Sequence, residues 1–324
     1  MTVTIESCGL TKFYHGKAVV DSLDLSVRQG EVFGFLGPNG SGKTTTTRIL
    51  TTVIRPDRGS ARVLGYDVCS ASLPVRRSIG VIAQRGGGHW FLSVEDNVHL
   101  YFLAQGLTWR ESARRTSEVL EKFDLAEHRR KKLSELSGGL YRRMQVARAL
   151  GIPKPVLFAD EPTVGLDPKT RREIWQFLLN AKQAGTTIFL CTQSMEEAQA
   201  ISDRVCFVKA GRIVICEQTD AIRKKFGRTR ARLRFGSMGP ASAQSLECSL
   251  KIFQGVSYVQ MDTDSVALTL LGDADGALAE VLNLLYSQGI SIKGLEVEEP
   301  TLEDAYLYLM EDHDGAGMDR HIPL

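Results

Sequence analysis

The stretch Gly37-Pro38-Asn39-Gly40-Ser41-Gly42-Lys43-Thr44 follows the pattern Gly, four arbitrary residues, then Gly-Lys-Ser/Thr. Before it runs Val32-Phe33-Gly34-Phe35-Leu36, short and apolar, which reads as a buried strand. After it, residues 43–50 can begin a helix whose free N–H groups and positive dipole end face the loop. Glycines allow the backbone amides to turn inward on phosphate oxygens. Lys43 brings a point charge to the β- and γ-phosphates, and the Thr44 hydroxyl can ligate Mg²⁺. Strand, loop and helix together make a nucleoside-triphosphate site in an α/β domain.

The chain ahead of this loop reads as strands at 2–8 and 18–27. Between them lies Tyr14, an aromatic in a turn that can stack on adenine or serve packing alone, and His15 is a surface turn residue. Beyond the loop, 62–68 and 78–84 are strand-like, and the second ends in Gln84 before a flexible Arg-Gly-Gly-Gly run. Residues 93–150 read as mostly helical, an insertion in the α/β domain. Ser93-Val94-Glu95-Asp96 is expected to open its first helix as a capping box. Ala113, Thr116, Val119, Leu120 and Phe123 share one helical face. The basic run 129–132 is expected as a solvated face, with a phosphate or lipid contact as the alternative. Leu136-Ser137-Gly138-Gly139 then precedes a helix through about residue 150. Its amides form a second possible anion site, although Ser with Gly often only starts a helix.

Residues 155–162 are an apolar strand ending in Asp160 and Glu161. An acid at the tip of a strand beside a phosphate loop is where an Mg²⁺-coordinating Asp belongs, and the adjoining Glu161 is placed to polarise an attacking water. Gly165-Leu166-Asp167-Pro168 follows, with Asp167 as N-cap and Pro168 at the first helical position. A buried strand at 186–191 leads to Thr192-Gln193-Ser194, and 205–208 with 212–216 form a hairpin. A boundary is expected near 224–228, which puts one domain at 1–225 and an accessory domain at 229–310. The order β-α-β-β-α-β in the latter suggests a ferredoxin-like domain, and 311–324 a frayed tail.

Composition narrows the function classes. Hydrophobic residues at 43% and charged residues at 24% suit a soluble globular protein. A net charge of +2 gives no case for nucleic acid. The six cysteines are scattered without a C-x-x-C pair and read as reduced thiols. No signal peptide is expected at the start, and no apolar run approaches the roughly 18 residues of a membrane helix.

Taken together, these motifs resemble the nucleotide-binding subunit of an ATP-binding-cassette (ABC) transporter over residues 1 to about 225, in the family's own order. The resemblance implies an ABC ATPase core with an antiparallel β subdomain and a helical insertion. It implies Tyr14 as the adenine-stacking residue and residues 37–45, through Thr45, as the Walker A loop. Gln84 becomes the Q-loop residue reaching Mg²⁺ and the attacking water. Ser137, Gly138 and Gly139 become the signature motif, Asp160 the Walker B acid, Glu161 the catalytic base and Asp167 part of the D-loop. It further implies ATP and Mg²⁺, a second cassette subunit (a homodimer), a separate multi-spanning permease and a peripheral place on the cytoplasmic face of the membrane. Two positions depart from the family: Leu140 stands where the signature usually has Gln, and Gln193 where a switch His is usual. Gln193 and the segment 298–306 are similar to the daunorubicin-type drug-resistance branch, which implies export of a hydrophobic drug or antibiotic. A polysaccharide or lipid conjugate, or a soluble non-transport ATPase, are the alternatives.

Overall fold

The computed structural model describes residues 2–84, 86–237, 240–270 and 274–311. Two compact units divide at Cys216/Glu217, earlier than the expected boundary near 225. The reason is local. The helix Thr219–Phe226 packs against the helix Leu302–Glu311, so both belong with the C-terminal unit.

The first unit holds a six-stranded sheet in the order Arg212–Gln218, Arg204–Lys209, Val32–Leu36, Thr187–Thr192, Val156–Asp160, Ile79–Ile82. From Arg204–Lys209 to Ile79–Ile82 every neighbour is parallel. Val32–Leu36, Val156–Asp160 and Thr187–Thr192 are buried along their whole lengths, because helices and the second sheet cover both faces. That is why they read as unbroken apolar runs. The expected hairpin turns at Ala210-Gly211, with φ of 50° and 82°, the left-handed pair of a type I′ turn. A second sheet, antiparallel where its strands pair, runs in the order Lys17–Arg28, Val3–Tyr14, Arg58–Val63, Tyr66–Asp67. It shares one core with the main sheet: Ile5, Leu10 and Leu25 pack with Phe33, Phe35, Phe158 and Phe189.

Phe189 is the hub of that core, with ring centroids 5.6, 5.4 and 5.5 Å from Phe33, Phe35 and Phe158. A Phe189→Ala change should cost about 3–5 kcal/mol of stability. Urea denaturation of the two proteins, compared at the midpoint, checks it; an unchanged midpoint would show that the cavity collapses without loss.

The insertion is helical as expected, with helices Val94–Ala104, Trp109–Lys122 and Gly138–Gly151. Details differ. Ser93 accepts from the Asp96 N–H at 3.0 Å, but the Asp96 carboxylate takes the Ser93 hydroxyl at 2.6 Å, so only half of a capping box forms there. The complete box is at Thr108 and Glu111. Ala113 is exposed, and Ser112 holds the inner position because its hydroxyl satisfies the His99 carbonyl at 2.8 Å. Arg129 forms a two-pronged pair with Glu95 at 2.5 and 3.0 Å, whereas Arg130, Lys131 and Lys132 face solvent. The helix Ser72–Ser78, ahead of the strand Ile79–Ile82, was not expected.

The second unit carries a four-stranded antiparallel sheet in the order Val256–Met261, Ser265–Leu270, Thr229–Phe235, Ile292–Glu298. In chain order this is 2-3-1-4, the ferredoxin-like arrangement. Leu246 and Leu250 from one helix and Val281 and Leu285 from another pack on Leu233, Val266 and Leu268. Among the described residues no helix is long and apolar enough to cross a membrane. The tail 312–324 lies outside the described residues.

Candidate active site

The loop after Val32–Leu36 fits its neighbours without room for side chains at two glycines. A Cβ on Gly37 would lie 2.2 Å from the Val208 carbonyl oxygen. At Gly42, where φ is 99°, it would lie 2.5 Å from the Val19 oxygen. Gly42 is also the N-cap of the helix Lys43–Leu50 and offers no side-chain acceptor, which leaves the first-turn amides available to a ligand. Pro38, Asn39 and Gly40 are exposed, Thr44 and Thr45 half-buried, and the buried Ser41 hydroxyl has no hydrogen-bond partner among the described residues. Lys43 folds back over the loop, its Nζ donating to the Gly37 oxygen at 2.6 Å and the Pro38 oxygen at 3.0 Å. Burial lowers its pKa, while Glu161 and Asp160 work the other way.

Three neighbouring parallel strands, Ile79–Ile82, Val156–Asp160 and Thr187–Thr192, bring their C-terminal ends to this loop. Crevices at that end of an open α/β sheet are where ligands bind. Asp160 is only 6% exposed, and its Oδ1 has no hydrogen-bond partner among the described residues. Burial raises its pKa, and so does the charge of Glu161; the Thr44 hydroxyl and the Lys43 ammonium oppose them. Glu161 has φ of 47°, a left-handed conformation that costs a non-glycine residue about 1–3 kcal/mol. Its N–H donates to the Cys191 oxygen at 2.7 Å and its own oxygen accepts from Arg142 at 3.2 Å, bonds that hold the turn. Gln84 Nε2 donates to Glu161 Oε2 at 2.8 Å. Gln193 lines, with Glu161, Thr163, Gly165 and Arg171, a cavity of about 190 Å³.

The structure thus gathers Lys43, Thr44, Asp160, Glu161, Gln84 and Gln193. It gives Tyr14, Ser137, Gly138 and Asp167 no hydrogen bond or ion pair to these six among the described residues. Tyr14 is 42% exposed at a strand end, with the Lys12 ammonium 5.8 Å over its ring. Ser137 caps its helix by accepting from the Leu140 N–H at 3.4 Å, and both Ser137 and Gly138 face solvent. A Cβ on Gly139 would come within 3.3 Å of Thr170. Asp167 caps the next helix through the Lys169 and Thr170 N–H groups, each at 3.0 Å.

Two buried residues near the site escaped the sequence reading. Arg142 donates to the Ala83 oxygen at 2.9 Å as well as to Glu161, and Tyr141 reaches the Gly86 oxygen at 3.0 Å. Together they fasten the loop after Gln84 to the helix that begins at Ser137. Glu197, 1% exposed, accepts from Thr163 and Trp175. Both positions carried a signal: Arg142, Gln145, Val146 and Ala149 share a helical stripe, as do Glu197, Ala198 and Ile201.

The ABC transporter family profile matches residues 20–164. The daunorubicin/doxorubicin resistance ATP-binding protein DrrA of Streptomyces peucetius is 35% identical over 309 residues, which cover 95% of this chain and 92% of that protein. The doxorubicin resistance ATP-binding protein DrrA of Mycobacterium tuberculosis is 35% identical, over 94% and 92%. A Nod factor export ATP-binding protein I of Mesorhizobium japonicum is 40% identical over 65% of this chain and 62% of its own length. Among solved structures, a dimeric ATP-binding cassette in a post-hydrolysis state with ADP and Pi superposes with a TM-score of 0.61. It is 26% identical and covers 66% of this chain and 98% of the cassette. Loop, strand-tip acids, fold and relatives agree, and the chain belongs to the ABC transporter family as one of its ATP-binding, ATP-hydrolysing subunits.

Proposed function

We propose that this subunit powers the export of a hydrophobic, drug- or antibiotic-like compound through a separate membrane permease. The observation that carries the reading is the span of the DrrA likeness, which includes the C-terminal unit as well as the cassette. Two copies of the subunit pair, so that Ser137, Gly138 and Gly139 of each meet the triphosphate held by the other's loop. The assembly sits on the cytoplasmic face of the membrane, where the permease receives it.

The chemistry follows from the side chains. Loop amides and Lys43 hold the β- and γ-phosphates, Lys43 exchanging its two carbonyl partners for phosphate oxygens. Tyr14, exposed at its strand end, stacks on the adenine. Mg²⁺ suits the residues present: the unpartnered Asp160 Oδ1 lies with the Thr44 hydroxyl, and the Gln84 amide oxygen is a further candidate. Among the described residues no group of three or more His, Cys, Asp and Glu side chains is placed to hold a metal. When bound, Mg²⁺ would neutralise charge on the phosphate oxygens. Glu161, held in place by Gln84, accepts the proton of the water that attacks the γ-phosphorus. Gln193 donates its amide hydrogen to a γ-phosphate oxygen, supplying orientation without a charge or a transferable proton.

A pull-down of the Glu161→Gln variant with ATP from mildly solubilised native membranes tests the transport assignment. The expected result is co-purification of a multi-spanning membrane protein. Ribosomes, DNA-bound complexes, or an intact pair of subunits alone would leave the ATPase chemistry standing and remove the exporter.

A further inference from the structure

Beneath Glu161 and Gln193 lies a carboxyl group that the proposed chemistry does not use. Glu197 sits in the short helix Met195–Ile201, almost wholly buried. Its Oε1 accepts from the Thr163 hydroxyl at 2.7 Å and from the Trp175 indole N–H at 3.1 Å. Thr163 follows Glu161 in the chain, and Trp175 belongs to the helix Pro168–Gln183 that Asp167 caps. On the other side, the Ser194 N–H donates to the Thr192 hydroxyl at 3.0 Å, and the Glu197 N–H donates to the Ser194 hydroxyl at 3.2 Å. These last bonds close around Gln193. Next door, Arg171 pairs with Glu196 at 2.5 Å and ties the same two segments at the surface.

Burial raises the pKa of Glu197, and hydrogen bonds from Thr192, Thr163 and Trp175 oppose it. Taking a carboxyl group out of water is costly, and an apolar residue of similar size would pack there at less cost. What an apolar residue lacks is an acceptor on which donors from two segments, Thr163 and Trp175, converge.

We propose that Glu197 is a positioning residue for hydrolysis: it fastens the turn carrying Gln193 to the segment that follows Glu161, so that base and switch amide keep one spacing. The inference rests on the reading that Glu161 and Gln193 both act at the γ-phosphate. It separates Glu197 from Lys43 and the loop, which bind the nucleotide.

The test is steady-state ATP turnover by the full-length protein, wild type beside Glu197→Ala, Glu197→Gln, Thr163→Val and the Thr163→Val/Glu197→Ala double variant. Loosening a catalytic spacing from outside the reacting atoms can cost about 10²-fold, and the expected loss of kcat in Glu197→Ala is about 10- to 100-fold. KM for ATP should stay put, because the phosphate loop is untouched. Glu197→Gln keeps an acceptor for Thr163 and Trp175 and should recover most of kcat. The double variant should be no slower than Glu197→Ala, since both changes break one link. Loss of the indole's acceptor should also shift the Trp175 component of the tryptophan emission, a shift absent in a Trp175→Phe background. Should Glu197→Ala not fold, Glu197→Met fills the space without accepting and takes its place in every comparison. Wild-type turnover in the Ala or Met variant, kcat losses that multiply in the double variant, or a rise in KM matching the fall in kcat would each overturn the proposal. Turnover persisting in Glu161→Gln, assayed alongside, would instead sink the underlying assignment of the base.

Discussion

Glu161→Gln should slow ATP hydrolysis by about 10²–10⁴-fold, the range a positioned general base contributes. The substitution preserves size and shape. Its amide can still bond the Gln84 side chain that now donates to Glu161 Oε2, and the φ of 47° is set by backbone bonds to Cys191 and from Arg142. What disappears is a group able to accept a proton from water. ATP binding should survive, because the loop and Lys43 lie on other elements. Phosphate release gives the rate and a fluorescent ATP analogue gives the affinity; size-exclusion chromatography with ATP should show pairs that persist longer than in wild type. Wild-type turnover in this variant would remove Glu161 from the role of base and leave a substrate oxygen to serve.

Lys43→Ala should act on the other half of the process. In the free protein the ammonium is buried and bonded to two carbonyls of its own loop, and its pKa is lowered by that burial. Hydrogen bonds to charged groups contribute about 1.5–3 kcal/mol, so ATP affinity should fall by about 10- to 100-fold. The ligand-free fold should tolerate the change, since a desolvated cation is removed together with only two bonds. Titration calorimetry with a non-hydrolysable ATP analogue measures the first effect and thermal denaturation without nucleotide the second. Unaltered affinity would mean that loop amides alone hold the phosphates. Lost affinity with a collapsed melting temperature would mean that Lys43 braces the loop itself.

How far the sequence led can be judged residue by residue. The phosphate loop, the strand ending in Asp160-Glu161 and the Asp167 cap were legible because each needs particular residue types at fixed spacing. The ferredoxin-like order was legible from alternation, as in Thr229–Phe235, where every second residue is buried. Features that depend on tertiary contact were not. Ser72–Ser78 is a helix of seven residues with Pro74 inside it and one buried side chain, Val75, too little apolar pattern to announce itself. Arg142 lies in an Arg-Arg pair and Glu197 in a Glu-Glu pair, which read as solvated surface; only their place on an apolar stripe separates them from Arg143 and Glu196. The contact division falls earlier than the expected boundary because the partner of the helix Thr219–Phe226 lies far along the chain, at Leu302–Glu311.

The bonds of Arg142 have a consequence for timing. One guanidinium holds the backbone at Ala83 and Glu161, and Ser137 caps the N-terminal end of the same helix, five residues before Arg142. A rigid rod so anchored cannot shift at one of these points without shifting at the other. In a pair of subunits, its Arg142 turn would register whether the home nucleotide is spent while its Ser137 cap grips the nucleotide lent by the neighbour. Two sites wired in this way would not fire independently: spending one ATP would alter the hold on the second, and the stroke delivered to the membrane would be a joint event.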